Sequence, residues 1–183
     1  TKADLLLLHW PCDVLAAGTL SAVWEEMEHS LNSGRCKALG VCNFNVGALA
    51  SLLSICAVRP VVNQVERHPL LPQWDLLDYC AQNSILLQAH SPLGHGSDEL
   101  LDHPVLNRIA SEASLSTAQV VIRWNLQHGI LVTPKCSTPQ HANEILSTSA
   151  LSPDQMKTID SIPERRRFVD PPFMRGTAVY CWG

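Results

Sequence analysis

Polar side chains recur at the ends of apolar runs in this chain. "LLLLHWPC" ends in His9, "ALGVCNF" in Cys42 and Asn43, and "PVVNQVE" carries Asn63, Gln64 and Glu66 with His68 just beyond. "SILLQAHSPLG" ends in His90 and Ser91, and "GILVTPK" leads to Lys135 and Cys136. A single histidine in such a place is more often a hydrogen-bonded structural group. A set that converges points to a site. The chemistry open to it is narrow. Asn43 and Gln64 each offer an amide donor and acceptor, so together they can grip another amide, such as a carboxamide on a ligand ring. His90 can present an aromatic face for stacking. Lys135, with the helix N-terminus after Thr138, can hold a phosphate. His9 can donate a proton, since imidazole takes both protonation states near neutral pH. An aromatic amide, phosphates and a proton donor describe a nicotinamide cofactor doing carbonyl chemistry.

Two competing readings are weaker. His68, His90 and His95 lie near strand ends, but the H-x-H pair and last-strand Asp of barrel hydrolases are absent from the sequence, so no metal is expected. The run Arg165, Arg166, Arg167 in a proline-rich tail reads as solvated rather than as an anion or membrane contact.

The elements that must position these groups alternate. Strand-like runs cover Asp4 to Trp10, "ALGVCNF", "PVVNQVE", "SILLQAH" and "GILVTPK". Between and after them, apolar periodicity predicts helices over Thr19–Ser33, Val46–Ile55, Trp74–Asn83, Val105–Ala113, Thr117–Gln127, His141–Leu146 and Pro153–Ile162. Thr19 reads as an N-cap and Gly34 as a C-cap glycine. Strands alternating with helices imply parallel strands with crossover helices packed outside. An open doubly wound sheet and part of a (β/α)8 barrel both fit. The sheet version usually carries a glycine-rich phosphate turn, and no G-x-G-x-x-G occurs here. The barrel version builds its sites at the C-terminal strand ends, where the polar groups lie.

Composition bounds the rest. The chain has 183 residues, 46% hydrophobic and 16% charged, which suits one globular domain with a real core. A net charge of -4 argues against a nucleic-acid surface. No stretch has transmembrane length, and no basic-then-apolar leader opens the chain. The chain does not begin with Met, so Thr1 is not read as the natural start. Seven irregularly spaced cysteines form no C-x-x-C pair, which suits a reducing, cytoplasmic setting.

"LLLLHWP", "WEEMEHSLNSGRCKALGVCNFN", "VVNQVERHPLLPQWDLLDYC", "SPLG", "AQVVIRWNLQHG" and "VTPK" together resemble the aldo-keto reductases, in order and spacing, from about residue 4 to residue 162. The resemblance implies a TIM barrel, here an incomplete one of five βα units, in a single domain spanning residues 1–183 with a C-terminal tail over 163–183. It implies NADPH-dependent reduction of aldehydes and ketones to alcohols, with NADH as a further candidate cofactor. His9 matches the family's catalytic His. Asn43 and Gln64 match the residues that hold the nicotinamide carboxamide. Ser91 and Leu93 border the pyrophosphate, Lys135 matches the residue at the 2′-phosphate, and Glu144 the one at the adenine amino group. Trp10, Tyr180 and Trp182 are the expected substrate contacts, and Phe168 and Phe173 add aromatic surface in the tail.

Several positions depart from the family. Cys42 stands where Ser is usual, His90 where an aromatic stacks, Cys136 for a Ser near the phosphate and His141 for an Arg clamp. Ile145 stands where Asn is common. Each change weakens cofactor grip. The family's Asp, Tyr and Lys have no counterpart here, since Tyr79 and Tyr180 fall in a helix and in the tail. The chain is therefore expected to be a fragment or incomplete form with impaired activity. The alternatives are a truncated nucleotide-binding chain and a partner-binding half-barrel without catalysis. A complete barrel would be a monomer acting on a small carbonyl compound; open strand edges would invite a partner.

Overall fold

The structure is a computed structural model that describes residues 2–146 and 149–172. Among them, five short strands alternate with helices: β1 Leu6–Leu8, α1 Cys12–Ala16, α2 Leu20–Asn32, β2 Leu39–Cys42, α3 Val46–Leu53, β3 Val62–Glu66, α4 Trp74–Gln82 and β4 Leu86–His90. A 3₁₀ turn at Gly94–Gly96 follows, then α5 Asp98–Leu101, α6 Pro104–Ala113, α7 Thr117–Gln127, β5 Leu131–Thr133, α8 Pro139–Leu146 and α9 Pro153–Asp160. The strands hydrogen-bond in the order β1-β2-β3-β4-β5, and the registered pairs β1–β2, β2–β3 and β4–β5 are parallel. The fold is α/β, as the alternation predicts.

Most element bounds fall within three residues of the sequence expectation. The exceptions are the short α1, α5 and 3₁₀ turns, which carry too few residues for a periodic signal. The tail run also differs. Arg166 donates its backbone N–H to the Leu70 carbonyl at 2.8 Å, and its side chain pairs with Glu99 at 3.1 Å. Arg165 and Arg166 are exposed, as a solvated run implies; Arg167 departs from it, half-buried with Nη1 3.6 Å from the buried Glu66 carboxylate.

The chain divides into two compact units. The first comprises the residues up to Val65 with Trp74–Leu87 and the segment from Asp170. Its core holds Trp24, Leu39, Val41, Phe44, Leu49 and Leu52, all fully or nearly fully buried. On α2 the buried residues are Leu20, Trp24 and Met27, one stripe at helical spacing, with Val23 and Leu31 half-buried beside it. Gly40 is required by close approach: a Cβ there would meet Val62 and Leu7 side-chain carbons at 2.6 and 2.7 Å. Cys36, Cys42, Cys56, Cys80 and Cys136 are free thiols, whereas Cys12 is disulfide-bonded, a pairing that the irregular spacing did not announce.

The second unit comprises Glu66–Gln73 and Gln88–Val169. Leu100, Leu106, Ile109, Val120, Ile122 and Trp124 fill its core. Helices α7 and α9 both start in full capping boxes, Ser116 with Gln119 and Ser152 with Gln155, which satisfy end N–H groups reciprocally.

Candidate active site

Three strand ends of the first unit are laced together. Parallel register sets Leu8 opposite Val41 and Cys42 opposite Gln64, so the ends of β1 and β2 lie beside Gln64, two residues before the end of β3. The Asn43 N–H donates to the Gln64 carbonyl at 2.9 Å. Asn43 then takes a left-handed conformation, φ 62°, which asparagine tolerates better than most side chains. That turn brings Nδ2 to the His9 carbonyl at 3.1 Å and to Cys42 Sγ at 3.3 Å. Cys42 Sγ lies 3.8 Å from Gln64 Oε1. Burial pushes the Cys42 thiol up to about 12, against a smaller lowering by the Asn43 N–H, so it stays an S–H and a weak donor. His9 is exposed, its ring 5.4 Å from that of half-buried Trp10.

Asn63, one residue before Gln64, has a different role. Its Nδ2 donates to the Phe44 carbonyl at 2.8 Å, and its Oδ1 accepts from the Phe44 N–H at 3.4 Å. Fully buried, it is a structural tie.

The end of β3 and the segment after it belong to the second unit. Glu66 is fully buried. Oε1 accepts from His68 Nε2 at 3.0 Å and from the Phe168 N–H at 2.7 Å, and Oε2 accepts from the Val169 N–H at 3.1 Å. Arg167 adds an ion pair at 3.6 Å. Burial alone would raise the carboxyl, but the bonds from His68, Phe168 and Val169 and the attraction of His68 outweigh it and hold it below its ordinary value. Glu66 and His68 therefore anchor the tail, and Phe168 packs its ring 5.1 Å from His68. Beside them lies Arg67, which the sequence did not single out. It is fully buried, donates to the Pro72 carbonyl at 2.9 Å and to Asn125 Oδ1 at 2.6 Å, and lies 4.1 Å over the Trp124 ring.

At the end of β4, half-buried His90 and Ser91 join a third residue. His90 Nδ1 is 3.2 Å from Ser91 Oγ, and that oxygen is 3.1 Å from His95 Nε2. Leu93 leads into the turn that carries His95. At the end of β5, Lys135 and Cys136 are exposed. Thr138 Oγ1 accepts from the His141 N–H at 3.2 Å at the start of α8, and Gln119 Nε2 donates to the Glu144 carbonyl at 2.7 Å. His141 and Glu144 are exposed and Ile145 half-buried. Tyr180, Trp182 and Phe173 lie outside the described residues.

The structure thus gathers His9, Cys42, Asn43 and Gln64 in one unit. It gathers His90, Ser91, Leu93, Lys135, Cys136, His141 and Glu144 in the other. In the first, the amide pair fits a carboxamide; in the second, a lysine near a helix N-terminus fits a phosphate. The sequence reading left His95 outside any site. Its signal was the flanking glycines of "GHG", which permit a tight left-handed turn.

Comparison with known proteins gives the same family. The model of the aldo/keto reductase family matches residues 1–164. An uncharacterised oxidoreductase, YtbE of Bacillus subtilis, is 41% identical over 167 residues, 90% of this chain and 57% of that protein. A glyoxal reductase of the same organism is 40% identical over 167 residues, 90% of this chain and 58% of that one. The chain thus spans under three fifths of the length of these two relatives. Among solved structures, the aldo-keto reductase AKR2E5 of the silkworm, Bombyx mori, matches at TM-score 0.85 and 31% identity, covering 98% of this chain and 59% of that one. A structure of AKR2E5 complexed with NADPH matches at TM-score 0.87 and 29% identity, covering 100% of this chain and 61% of that one. No described helix is long and apolar enough to cross a membrane. With its parallel α/β order and a family match over nearly its whole length, the chain belongs to the aldo/keto reductase family.

Proposed function

We propose that this chain holds NADPH through its strand ends and serves the reduction of small aldehydes and ketones to alcohols. The observation that carries the reading is the lacing of β1, β2 and β3 by Asn43, whose amide meets the His9 main-chain carbonyl and Cys42 Sγ, with the Gln64 amide on the other side of that sulfur. When bound, the cofactor supplies a hydride to a carbonyl carbon. Asn43 and Gln64 hold the carboxamide, and Cys42 adds a weak S–H donor. His9 offers a ring N–H to the carbonyl oxygen of the substrate and orients it, with Trp10 as an apolar wall. His90 stacks on the ring, Ser91 and Leu93 border the pyrophosphate, Lys135 and His141 face the 2′-phosphate with Cys136 beside them, and Glu144 meets the adenine. Relatives that include a glyoxal reductase and a glycerol 2-dehydrogenase (NADP(+)) support the activity.

The same reading takes the chain as part of a single catalytic domain with a tail over residues 163–183, cytoplasmic, and monomeric where the barrel is complete, with open strand edges otherwise taking a partner. Five free thiols among the described residues support that compartment, and the disulfide at Cys12 weighs against it.

The test is a fluorescence titration of the chain with NADPH. Saturable binding is expected, weakened about tenfold or more in Gln64→Ala, which leaves the strand backbone pairing intact. A folded chain that ignores NADPH, or a Gln64→Ala variant that binds as tightly as the parent, overturns the reading. In the whole protein, His9→Ala should lower kcat for aldehyde reduction by roughly 10²–10⁴-fold.

A further inference from the structure

Residues 166–169 run as a strap across the second unit. The Arg166 N–H donates to the Leu70 carbonyl at 2.8 Å, the Phe168 N–H to Glu66 Oε1 at 2.7 Å and the Val169 N–H to Glu66 Oε2 at 3.1 Å. Two backbone bonds to a fully buried carboxylate fix where the strap lies. They also fix where the Phe168 side chain starts. Its ring lies 5.1 Å from that of buried His68 and reaches Gly94, where a Cβ would meet ring carbons Cδ2 and Cε2, both at 2.8 Å.

Gly94 opens the turn that follows Ser91 and Leu93. Gly94, His95 and Gly96 take φ 55°, 57° and 78°, three left-handed residues in succession. Two of them are glycines, which have the most backbone freedom to lose. The third is a histidine in a region that non-glycine residues rarely adopt. Within the turn, the Gly94 N–H donates to the Ser91 carbonyl at 2.9 Å and the Gly96 N–H to the Leu93 carbonyl at 2.8 Å. A backbone of this kind persists where its surroundings over-determine it. At buried Gly94 those surroundings are the Phe168 ring and Leu100, whose Cδ2 lies 3.1 Å from the same Cβ position. Leu100 comes from α5, just beyond the turn. The ring is nearer, and the strap brings it there from the far end of the unit's sequence.

We propose that Phe168 is a positioning residue whose ring, set in place by Glu66, holds the Gly94–Gly96 turn in its left-handed form. Its consequence for binding rests on the reading that Ser91 and Leu93 border the pyrophosphate. A turn fixed before the ligand arrives need not be ordered by it. The strap therefore strengthens binding at the pyrophosphate and leaves the adenine end, at Lys135 and Glu144, as it is.

The test reads ¹⁵N relaxation at Gly94, His95 and Gly96 and ligand binding in the same variants. Order parameters near about 0.85 are expected at the three residues in the parent and below about 0.6 in Phe168→Ala, with those of α7 unchanged. NADPH, followed by fluorescence, should bind Phe168→Ala roughly five- to thirtyfold more weakly, the cost of ordering one residue's backbone. Adenosine 2′-monophosphate carries the adenine and the 2′-phosphate but no pyrophosphate, and by NMR titration it should bind parent and variant alike. Should Phe168→Ala fail to fold, Phe168→Leu takes its place. It keeps a δ carbon beside Gly94 but has nothing at Cε2, so both readouts should move the same way by less. Order parameters that do not fall in the folded variant, or a turn already loose in the parent, overturn the proposal. Equal weakening of NADPH and adenosine 2′-monophosphate also overturns it, since that marks a general loss of structure. If the turn loosens as stated but the parent binds no NADPH, the brace stands and the cofactor reading fails instead.

Discussion

The Phe168 N–H donates to Oε1 of Glu66 at 2.7 Å, joining positions 102 apart in the chain. Val169 donates to the other carboxylate oxygen and His68 to the first, so the bonds that tether the tail converge on one fully buried carboxylate. Glu66→Gln keeps the shape but turns an NH2 group toward an N–H donor. It should cost roughly 1–3 kcal/mol in urea unfolding. An unchanged midpoint would show that the carboxylate holds nothing.

The same carboxylate sets an acid limb. Its folded value lies below the ordinary 4.5. Its stabilisation is therefore fully present above about 4.5 and is lost as pH falls through the folded value. Urea midpoints measured from neutral pH down to about 3 should decline in the parent, and the part of the decline due to Glu66 should vanish in Glu66→Gln.

Arg67 should resist its usual replacement. Burial pulls its guanidinium down to about 9, partly offset by Asp160, so it stays charged at neutral pH. Its fork spans the Pro72 carbonyl and Asn125 Oδ1 while the plane lies over Trp124. A lysine cannot make both bonds and stack, so Arg67→Lys should cost roughly 1–3 kcal/mol by thermal or urea unfolding. Full stability in Arg67→Lys would contradict this account of the contacts.

Cys42 should be silent to thiol reagents. Its thiol is pushed up to about 12 by burial, and only the thiolate reacts fast. At pH 8, iodoacetamide followed by mass spectrometry should label exposed Cys136 in the native protein and Cys42 only after denaturant is added. Rapid native labelling of Cys42 would show that the strand ends open.

Asn43 separates backbone from side chain. Asn43→Gly removes the bond to the His9 carbonyl but suits φ 62°, whereas Asn43→Ala removes the bond and strains the turn. The alanine variant should be less stable than the glycine variant by about 1 kcal/mol, and both should lose NADPH affinity. Equal stability of the two would mean that the turn carries no strain.

Much was legible in the chain alone. Short apolar runs marked the five strands, because parallel strands under crossover helices are covered on both faces, and period-3.6 apolar spacing marked the long helices, because burial of one face imposes the period. Polar residues ending successive apolar runs marked His9, Asn43, Gln64, His90 and Lys135, because strands in parallel with crossover helices between them end in the same direction. What the chain could not sort was neighbours of like chemistry. Asn63 and Gln64 are adjacent amides, yet the pleat sends one inward to tie Phe44 and leaves the other half-buried beside Cys42. Glu66 and His68 lie two residues apart and Arg167 far along the chain from both, and packing made them one anchor. His95 gained a partner only because two flanking glycines and the Phe168 ring bend its turn back toward Ser91. Periodicity is local and survives in one dimension; a hydrogen bond needs two atoms within about 3 Å, and only the folded backbone sets that distance.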